Sequence, residues 1–314
     1  MIELHRHLDV SIRVSTLHEL AQKFDLIPNS TSLEAFNSRF ILHSPLKDLS
    51  DVLTKFTVFQ KILKTEEILE RIAFEVAEDC FNEGIRQVEL RFSPSFVCEF
   101  NHLSWDKALD HFETGIKKAK KQFPAMQIGL ICIATRDFGI DSVAETVEFF
   151  LKNKNRLIGL DLAGNEENFP CRIFENAFKP AKTQNMNITI HAGEADGPEN
   201  IWEAIELLGA KRIGHGIRCM EDPSLVTYLV KNKICLEICP TSNWITRVVP
   251  SLEQHPLPKI IHAGIPACIN TDDPGIFSNN LPDEISLCRE KLGLSETEIS
   301  LCEQNAIQHS FLRA

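Results

Sequence analysis

The feature that most restricts the fold is a regular alternation of short apolar segments with longer amphipathic ones. Most of the short segments are rich in Val, Ile and Leu, while residues 1–9 and 86–92 alternate apolar with polar side chains, and all have the length of strands. Eight strand candidates occur, at residues 1–9, 86–92, 126–134, 157–164, 187–191, 212–215, 234–238 and 267–270. Strands joined by helices pair in parallel with right-handed crossovers, so eight such units predict an α/β fold of the (β/α)₈ TIM-barrel type.

Two observations bear on the domain organisation. No Gly-x-Gly-x-x-Gly sequence follows a strand candidate, which argues against the alternative of an open, doubly wound sheet. No internal repeat or linker divides the chain, so we expect a single domain over residues 1–314. Within it, residues 28–84 read as a helical insertion after the first strand, with a helical pattern from Leu49 to Ala77 and Gly84 as its stop. Such an insertion can fold over the mouth of a barrel as a lid.

Composition excludes several classes of protein. The chain carries a formal net charge of −11 and has a pI near 5.5, whereas binding to nucleic acid or to anionic membranes needs a basic surface. We see no leader peptide and no apolar stretch long enough to span a membrane, and therefore expect a cytoplasmic protein. Its 10 cysteines include no Cys-x-x-Cys pair, which argues against structural zinc and against a thioredoxin-like motif.

Chemically versatile side chains recur where the strand candidates end. In a barrel of this type, the carboxyl ends of the strands form one face, and that face carries the active site. Each residue has an ordinary alternative explanation: an aspartate can cap a helix, a histidine can be buried and hydrogen-bonded, and a glutamate can be a solvated loop charge. Their occurrence at successive strand ends favours a site. The candidates are His5, His7, Asp9, Gly164, His191, Glu194, His215, Asp272 and Asp273.

Six short motifs carry a family resemblance. They are His5-Arg6-His7-Leu8-Asp9, Asp161-Leu162-Ala163-Gly164, His191-Ala192-Gly193-Glu194, Arg212-Ile213-Gly214-His215-Gly216, Cys239-Pro240-Thr241-Ser242-Asn243 and Asn270-Thr271-Asp272-Asp273-Pro274. In this order the sequence resembles the adenosine deaminase family of the amidohydrolase superfamily over almost its whole length. The resemblance implies a metal-binding hydrolase with one Zn²⁺ per chain. The implied zinc ligands are His5, His7, His191 and Asp272, a set of three imidazoles and one carboxylate that leaves a position for water.

The resemblance also implies catalytic roles. Glu194 corresponds to the acid that protonates N1 of the purine as the ring loses its aromaticity. His215 and Asp272 correspond to the groups that orient and deprotonate the attacking water. The reaction would replace the 6-amino group of a purine nucleoside by oxygen and release ammonia.

Substrate contacts follow from the same resemblance. Asp273 corresponds to the residue that contacts N7, and the Gly164 amide to the donor to N3. Asp9 matches the ribose contact, and His7 in the same motif is also expected to contact the substrate. The apolar residues Leu53, Phe56 and Phe59 resemble the family's lid helix.

Adenosine or 2′-deoxyadenosine is the expected substrate, which would place the enzyme in purine nucleotide metabolism. The alternative is a 5′-substituted nucleoside such as aminodeoxyfutalosine, a precursor of menaquinone, whose carboxylate needs one well-placed arginine. Four arginines lie near strand ends: Arg91, Arg136, Arg218 and Arg247. Arg247 and Val10 belong to the parts that depart from the family pattern. An AMP-type substrate would need a cationic phosphate cradle, and we find no such cluster.

Three further alternatives concern the type of site. A binuclear amidohydrolase commonly has a carboxylated lysine on strand 4, where this chain offers Asp161 and Gly164. A cytidine-deaminase-type enzyme would show His-x-Glu with Pro-Cys-x-x-Cys, and neither occurs. A catalytically silent barrel acting as a binding module would have lost Glu194 or a zinc ligand. The oligomeric state stays open.

Overall fold

The computed structural model describes residues 1–46 and 49–312, with only the backbone described at 49–51, 53 and 54. The strands are β1 (Ile2–His7), β2 (Gln87–Phe92), β3 (Gln127–Thr135), β4 (Leu157–Ala163), β5 (Thr189–Ala192), β6 (Arg212–His215), β7 (Cys235–Ile238) and β8 (Ala267–Ile269). The helices are α1 (Val14–Lys23), α2 (Leu33–Phe40), α3 (Leu49–Ile62), α4 (Glu66–Asn82), α5 (Pro94–Cys98), α6 (Trp105–Gln122), α7 (Gly139–Lys152), α8 (Glu175–Thr183), α9 (Pro198–Glu203), α10 (Pro223–Asn232), α11 (Pro240–Ile245), α12 (Leu257–His262), α13 (Pro274–Phe277), α14 (Leu281–Glu290) and α15 (Glu296–His309).

The strands form two parallel sheets of four, in the orders β1-β2-β3-β4 and β5-β6-β7-β8. Single parallel bridges join the two sheets at both edges. Leu160 of β4 pairs with Ile188 before β5, and Arg6 of β1 pairs with Asp272 after β8. The prediction of parallel strands joined by helices is therefore confirmed. Both ends of each predicted strand lie within two residues of the ends of the observed strand.

The strands are buried on both faces, as parallel strands between a central core and covering helices must be. In β3, every residue from Ile128 to Ala134 is buried. The long helix between β2 and β3, α6, is capped at its N-terminus by Ser104, whose hydroxyl accepts a hydrogen bond from the Lys107 amide. Gly115 lets this helix approach α4 closely, because a side chain there would collide with the Glu70 carbonyl.

The insertion after β1 differs in detail from the sequence prediction. The single helix expected from Leu49 to Ala77 is two helices, α3 and α4, with Thr65 in an extended conformation between them. Glu66 and Glu67 occupy the first turn of α4, where the helix dipole favours negative charge, so a new helix start is stabilised there. Gly84 follows the end of α4 with φ +86°, as the expected stop requires.

None of the helices within the described ranges is both long and apolar enough to cross a lipid bilayer.

Candidate active site

The candidate residues converge at the carboxyl ends of the strands. His5 and His7 belong to β1, His191 to β5 and His215 to β6, while Asp272 follows β8. Two backbone hydrogen bonds hold Asp272 against β1: its N–H donates to the His5 carbonyl at 3.0 Å, and the His7 N–H donates to its carbonyl at 2.9 Å. The φ of +66° at Asp272 is in the left-handed region, which aspartate tolerates better than most residues but at a cost in energy.

Three imidazoles and a carboxylate surround one point. Asp272 Oδ1 lies 3.1 Å from His5 Nε2 and 3.2 Å from His7 Nε2, and His7 Nε2 lies 3.3 Å from His191 Nε2. His5 Nε2 is completely buried and makes no hydrogen bond of acceptable geometry. Several nitrogen lone pairs and a carboxylate facing one another without a proton donor are what a bound cation would satisfy. The donor set therefore fits a metal ion such as zinc.

Carboxylates behind two of these histidines fix which nitrogen faces inward. His5 Nδ1–H donates to Glu237 at 2.8 Å, and His191 Nδ1–H donates to Asp161 at 3.1 Å. Because a carboxylate only accepts, each ring carries its proton on Nδ1 and presents a bare Nε2 to the centre. Burial also lowers the pKa of His191 to about 4, which keeps the ring neutral at pH 7.

Distances alone leave one ambiguity in the ligand set. One group of possible ligand atoms within 4.8 Å of one another comprises His5, His191, His215 and Asp272, and a second comprises His7, Asp272 and Asp273. His7 and His215 therefore compete geometrically for the same role. His215 Nε2 lies farther from the central carboxylate than His7 Nε2 does, at 3.8 Å from Asp272 Oδ2.

Glu194 lies beside His215, with 3.6 Å between Oε2 and Nε2. Burial raises the pKa of Glu194 well above its usual range, and the neighbouring carboxylates of Asp272, Glu166 and Asp273 add to the rise. The backbone that carries Glu194 is held by Glu166, whose carboxylate accepts hydrogen bonds from four successive N–H groups of residues 193–196 at 2.5–3.2 Å. The backbone that carries Glu194 is thus fixed in position, and burial favours the protonated form of its carboxyl group.

A cavity of about 290 Å³ opens over this centre, at the small end of the range for small-molecule sites. Its lining includes Asp9, Gly164 and Asp273 besides the histidines and Glu194. Burial raises the pKa of Asp9 to about 6, although the Ser93 N–H donates to its carboxylate at 2.9 Å. Gly164 has φ +104°, and a side chain there would overlap the Asp137 carboxylate, so only glycine fits.

The three residues predicted for the lid do not share one location. Phe56 of α3 lines the cavity, whereas Phe59 is completely buried in the core and does not reach the cavity wall. The side chain of Leu53 lies outside the described residues.

Of the four arginines considered for a 5′ substituent, none lines the cavity. Arg247 is exposed, and Arg218 pairs with Glu221 at 2.8 Å. Arg91 and Arg136 are completely buried and bind other groups of the protein.

Sequence reasoning missed the residues that support the site from behind. Glu237, Arg91, Asn243 and His255 are all buried, and none was predicted to support the site, since Arg91 was considered only for a 5′ substituent. Glu237 had a usable signal, since it is a charged residue inside an otherwise apolar strand candidate, whereas Arg91 is one of several polar residues in the alternating segment 86–92. His255 had none, because it lies in an irregular segment before α12.

Comparison with known proteins agrees with this geometry. A curated adenosine deaminase from Klebsiella pneumoniae subsp. pneumoniae is 36% identical over 312 residues, covering 99% of this chain and 93% of the relative. The crystal structure of an adenine deaminase from Arthrobacter aurescens superposes with a TM-score of 0.91 at 26% identity, covering 99% of this chain and 94% of that one. The Arabidopsis N6-mAMP deaminase gives a TM-score of 0.85 at 29% identity, covering 99% and 93%. Since the sequence profile of the family described as "Adenosine deaminase" also matches residues 1–314, this chain belongs to the adenosine deaminase family and is an enzyme.

Proposed function

We propose that this protein is a zinc-dependent enzyme that hydrolytically deaminates a 6-aminopurine nucleoside, adenosine or 2′-deoxyadenosine, to the 6-oxopurine nucleoside and ammonia. The observation that carries the proposal is that a metal-type donor set and a buried carboxyl group with a raised pKa line the same cavity. Hydrolysis at a purine C6 needs both a water made nucleophilic and a proton donor for the ring nitrogen.

His5, His7, His191 and Asp272 would hold the zinc ion. The support is the set of distances near 3 Å among their inward atoms and the two carboxylates that fix the histidine tautomers. Zinc held there would supply hydroxide at neutral pH, because a zinc ion lowers the pKa of water to about 7.

Glu194 would donate a proton to N1 of the purine. Its raised pKa favours the protonated form of the carboxyl, which is the form a general acid needs. Asp272 would accept a proton from the attacking water, and His215 would orient that water, since both lie next to the same space.

The purine would lie between Asp273 and the backbone of Gly164. Asp273 Oδ1 is buried and has no hydrogen-bond partner, so in its protonated form it can donate to N7. Absence of a side chain at Gly164 lets the base approach the end of β4 and accept a hydrogen bond at N3. Asp9, at the side of the cavity, would accept a hydrogen bond from the ribose.

The charge of the cavity favours a nucleoside over a nucleotide. Among the residues that the structure describes, the lining contains neither Lys nor Arg, while Asp9 and Asp137 both carry carboxylates there. A phosphate dianion needs cationic or N–H donors and would be repelled by two carboxylates. We therefore expect AMP to be a poor substrate, and the exposed position of Arg247 leaves aminodeoxyfutalosine as the weaker alternative.

The architecture that supports this site would be one closed (β/α)₈ barrel spanning a single domain. Support comes from the two parallel bridges, which join the sheets at both edges. The insertion at residues 28–84 would act as the lid, with Phe56 of α3 facing the substrate cavity.

The test is metal analysis combined with an ammonia-release assay on adenosine, 2′-deoxyadenosine, adenine, AMP and aminodeoxyfutalosine. We expect one zinc per chain, the highest kcat/KM with the two unmodified nucleosides, and a much lower value with AMP. A preference for aminodeoxyfutalosine that collapses in Arg247→Ala would establish the alternative substrate instead. No zinc and no turnover of any 6-aminopurine would favour a binding module.

A further inference from the structure

Behind His215 lie two polar side chains that do not reach the cavity. Asn243 is completely buried in α11, and His255, just before α12, is 3% exposed. Neither side chain lines the cavity, so neither can contact a substrate there. Together with His215 they form a continuous row of hydrogen bonds that begins at a backbone amide.

The row starts at Leu257. Its backbone N–H donates to His255 Nδ1 at 3.1 Å, and a backbone amide can only donate, so Nδ1 carries no proton. Burial lowers the pKa of His255 to about 4, which makes the ring neutral at pH 7. A neutral imidazole has one proton, and that proton must therefore be on Nε2.

The protonated Nε2 of His255 determines the orientation of the Asn243 amide. His255 Nε2–H donates to Asn243 Oδ1 at 3.2 Å, which places Asn243 Nδ2 against His215 Nδ1 at 3.0 Å. An amide NH₂ has no lone pair to offer, so His215 Nδ1 must accept and must itself carry no proton. The reverse orientation of the amide would leave both nitrogens of His255 as acceptors, which a neutral imidazole does not permit.

We infer that Asn243 and His255 are positioning residues that hold His215 as the neutral tautomer with its proton on Nε2. His215 then presents an N–H donor toward Asp272 Oδ2 at 3.8 Å and Glu194 Oε2 at 3.6 Å. A nitrogen that carries a proton can neither bind a metal ion nor act as the base.

Two consequences follow, and they deepen the proposed function on which they rest. His215 is removed from the geometrically possible ligand set, which leaves His7 as the third imidazole. The proton of the attacking water must go to Asp272, while His215 orients that water by donating a hydrogen bond to its oxygen.

The direct test is the tautomer of His215 in the zinc-loaded enzyme. Histidine labelled with ¹⁵N distinguishes protonated from bare ring nitrogens by chemical shift, and the His215 signals are assigned by their loss in His215→Asn. We expect a protonated Nε2 and a bare Nδ1. A proton on Nδ1, or on both nitrogens, overturns the inference. This measurement needs no turnover, so it stays informative even if no 6-aminopurine is deaminated and the proposed function fails.

A matched pair of variants at His255 tests the positioning role. In His255→Gln the side-chain amide nitrogen can reach the place of Nε2 and keep a donor toward Asn243, whereas in His255→Asn the shorter side chain cannot. We expect kcat to fall about 10–100-fold in His255→Asn with KM little changed, as is typical when an outer partner of an active-site histidine is lost. His255→Gln should retain most of the wild-type kcat. Only His255→Asn should show a mixture of His215 tautomers. Equal kcat values in the two variants, with one unchanged tautomer in both, would contradict the role of His255.

Discussion

Two buried clusters of carboxylates lie one above the other in this enzyme, and their surroundings differ. The lower cluster, here called the charged floor, comprises Glu89, Arg91, Asp161, Arg212 and Glu237. In it, every carboxylate meets a guanidinium at 2.7–2.8 Å. The upper cluster, the cavity carboxylates, comprises Glu194, Asp272 and Asp273. Within the described part of the chain, only histidines lie within ion-pair distance of Glu194 and Asp272.

The difference in partners shifts the pKa values of Glu237 and Asp273 in opposite directions. Burial alone would raise the pKa of Glu237, but Arg91 and Arg212 hold it well below its usual range. Burial raises the pKa of Asp273, and the like charge of the adjacent Asp272 raises it further, while no arginine among the described residues forms an ion pair with it. Asp272 differs from its cavity neighbours: burial would raise its pKa, but interactions with the adjacent histidines hold that pKa well below its usual range. Arginines thus neutralise the buried carboxylates of the floor, while the negative charge of the cavity carboxylates has to be balanced by a bound cation or by protons. A metal site and a general acid are two ways of meeting that need.

The largest expected effect comes from removing the cavity carboxylate that contacts two histidines. Asp272→Ala should lower zinc occupancy and abolish ammonia release, because it deletes both a proposed ligand and the proposed base. Asp273→Ala is the matched control, since it removes the adjacent carboxylate but should keep the metal and chiefly raise KM. Metal analysis of both purified variants decides the question. Equal zinc loss in the two would show that the adjacent aspartates have been assigned the wrong way round.

The second prediction concerns the cavity carboxyl proposed to carry a proton. Glu194→Gln should keep zinc and lower kcat by about 10²–10⁴-fold, because an amide cannot protonate N1. Steady-state kinetics with adenosine measures this directly. Retention of more than about a tenth of the wild-type kcat would exclude the acid role, since general acid–base groups contribute at least that much.

Two variants in the charged floor test whether this cluster contributes to zinc binding in the cavity above it. Glu237→Gln removes the negative charge of the group that accepts the hydrogen bond from His5 Nδ1–H, leaving at best a neutral acceptor, and should weaken zinc binding about 10–100-fold. Glu89→Gln is the control, because Glu89 pairs with the same Arg212 and has no hydrogen bond or ion pair to a histidine among the described residues. Both variants leave part of a buried guanidinium unpaired and should lose about 3–5 kcal/mol in the free energy of unfolding. Comparable zinc affinities in the two would mean that the floor supports the fold only.

The cavity residues could be predicted from the sequence, whereas the contacts of the charged floor could not. The strands were predictable because apolar runs or, at residues 1–9 and 86–92, alternating polar and apolar residues determine them. The cavity residues were predictable because polar side chains lie at or just after the carboxyl ends of those segments. The partners of the floor come from strands far apart in the chain, for example Arg91 and Glu237, so no local pattern pairs them. The split between α3 and α4 was missed because the apolar spacing continues through it, while the extended conformation of Thr65 interrupts the helix.

The smallest expected effect comes from Glu284, a buried carboxyl group that, like the cavity carboxylates, has no arginine in an ion pair with it among the described residues. Because it is not a proposed metal ligand, it tests whether burial without such a partner raises a pKa. It is buried in α14 and accepts hydrogen bonds from the Thr241 N–H at 3.2 Å and from Asn279 Nδ2 at 2.7 Å. Burial raises its pKa from 4.5 to about 7. The folded state therefore binds a proton between about pH 4.5 and 7 that the unfolded state has lost, and this contribution to stability decreases as the pH rises through that window.

Glu284→Gln removes this titration. The free energy of unfolding of the variant minus that of the wild type should increase from pH 4.5 to pH 7, by at most about 3 kcal/mol, and stay constant above. Denaturant unfolding of both proteins across this range, at equal zinc concentration, measures the difference. Glu290→Gln, which changes an exposed carboxylate of the same helix, should show no such trend. If the difference in the free energy of unfolding between Glu284→Gln and the wild type does not change with pH, the two hydrogen bonds to Glu284 alone offset the effect of burial on its pKa. The lack of an arginine partner would then not explain why the pKa of a buried cavity carboxylate such as Asp273 is raised.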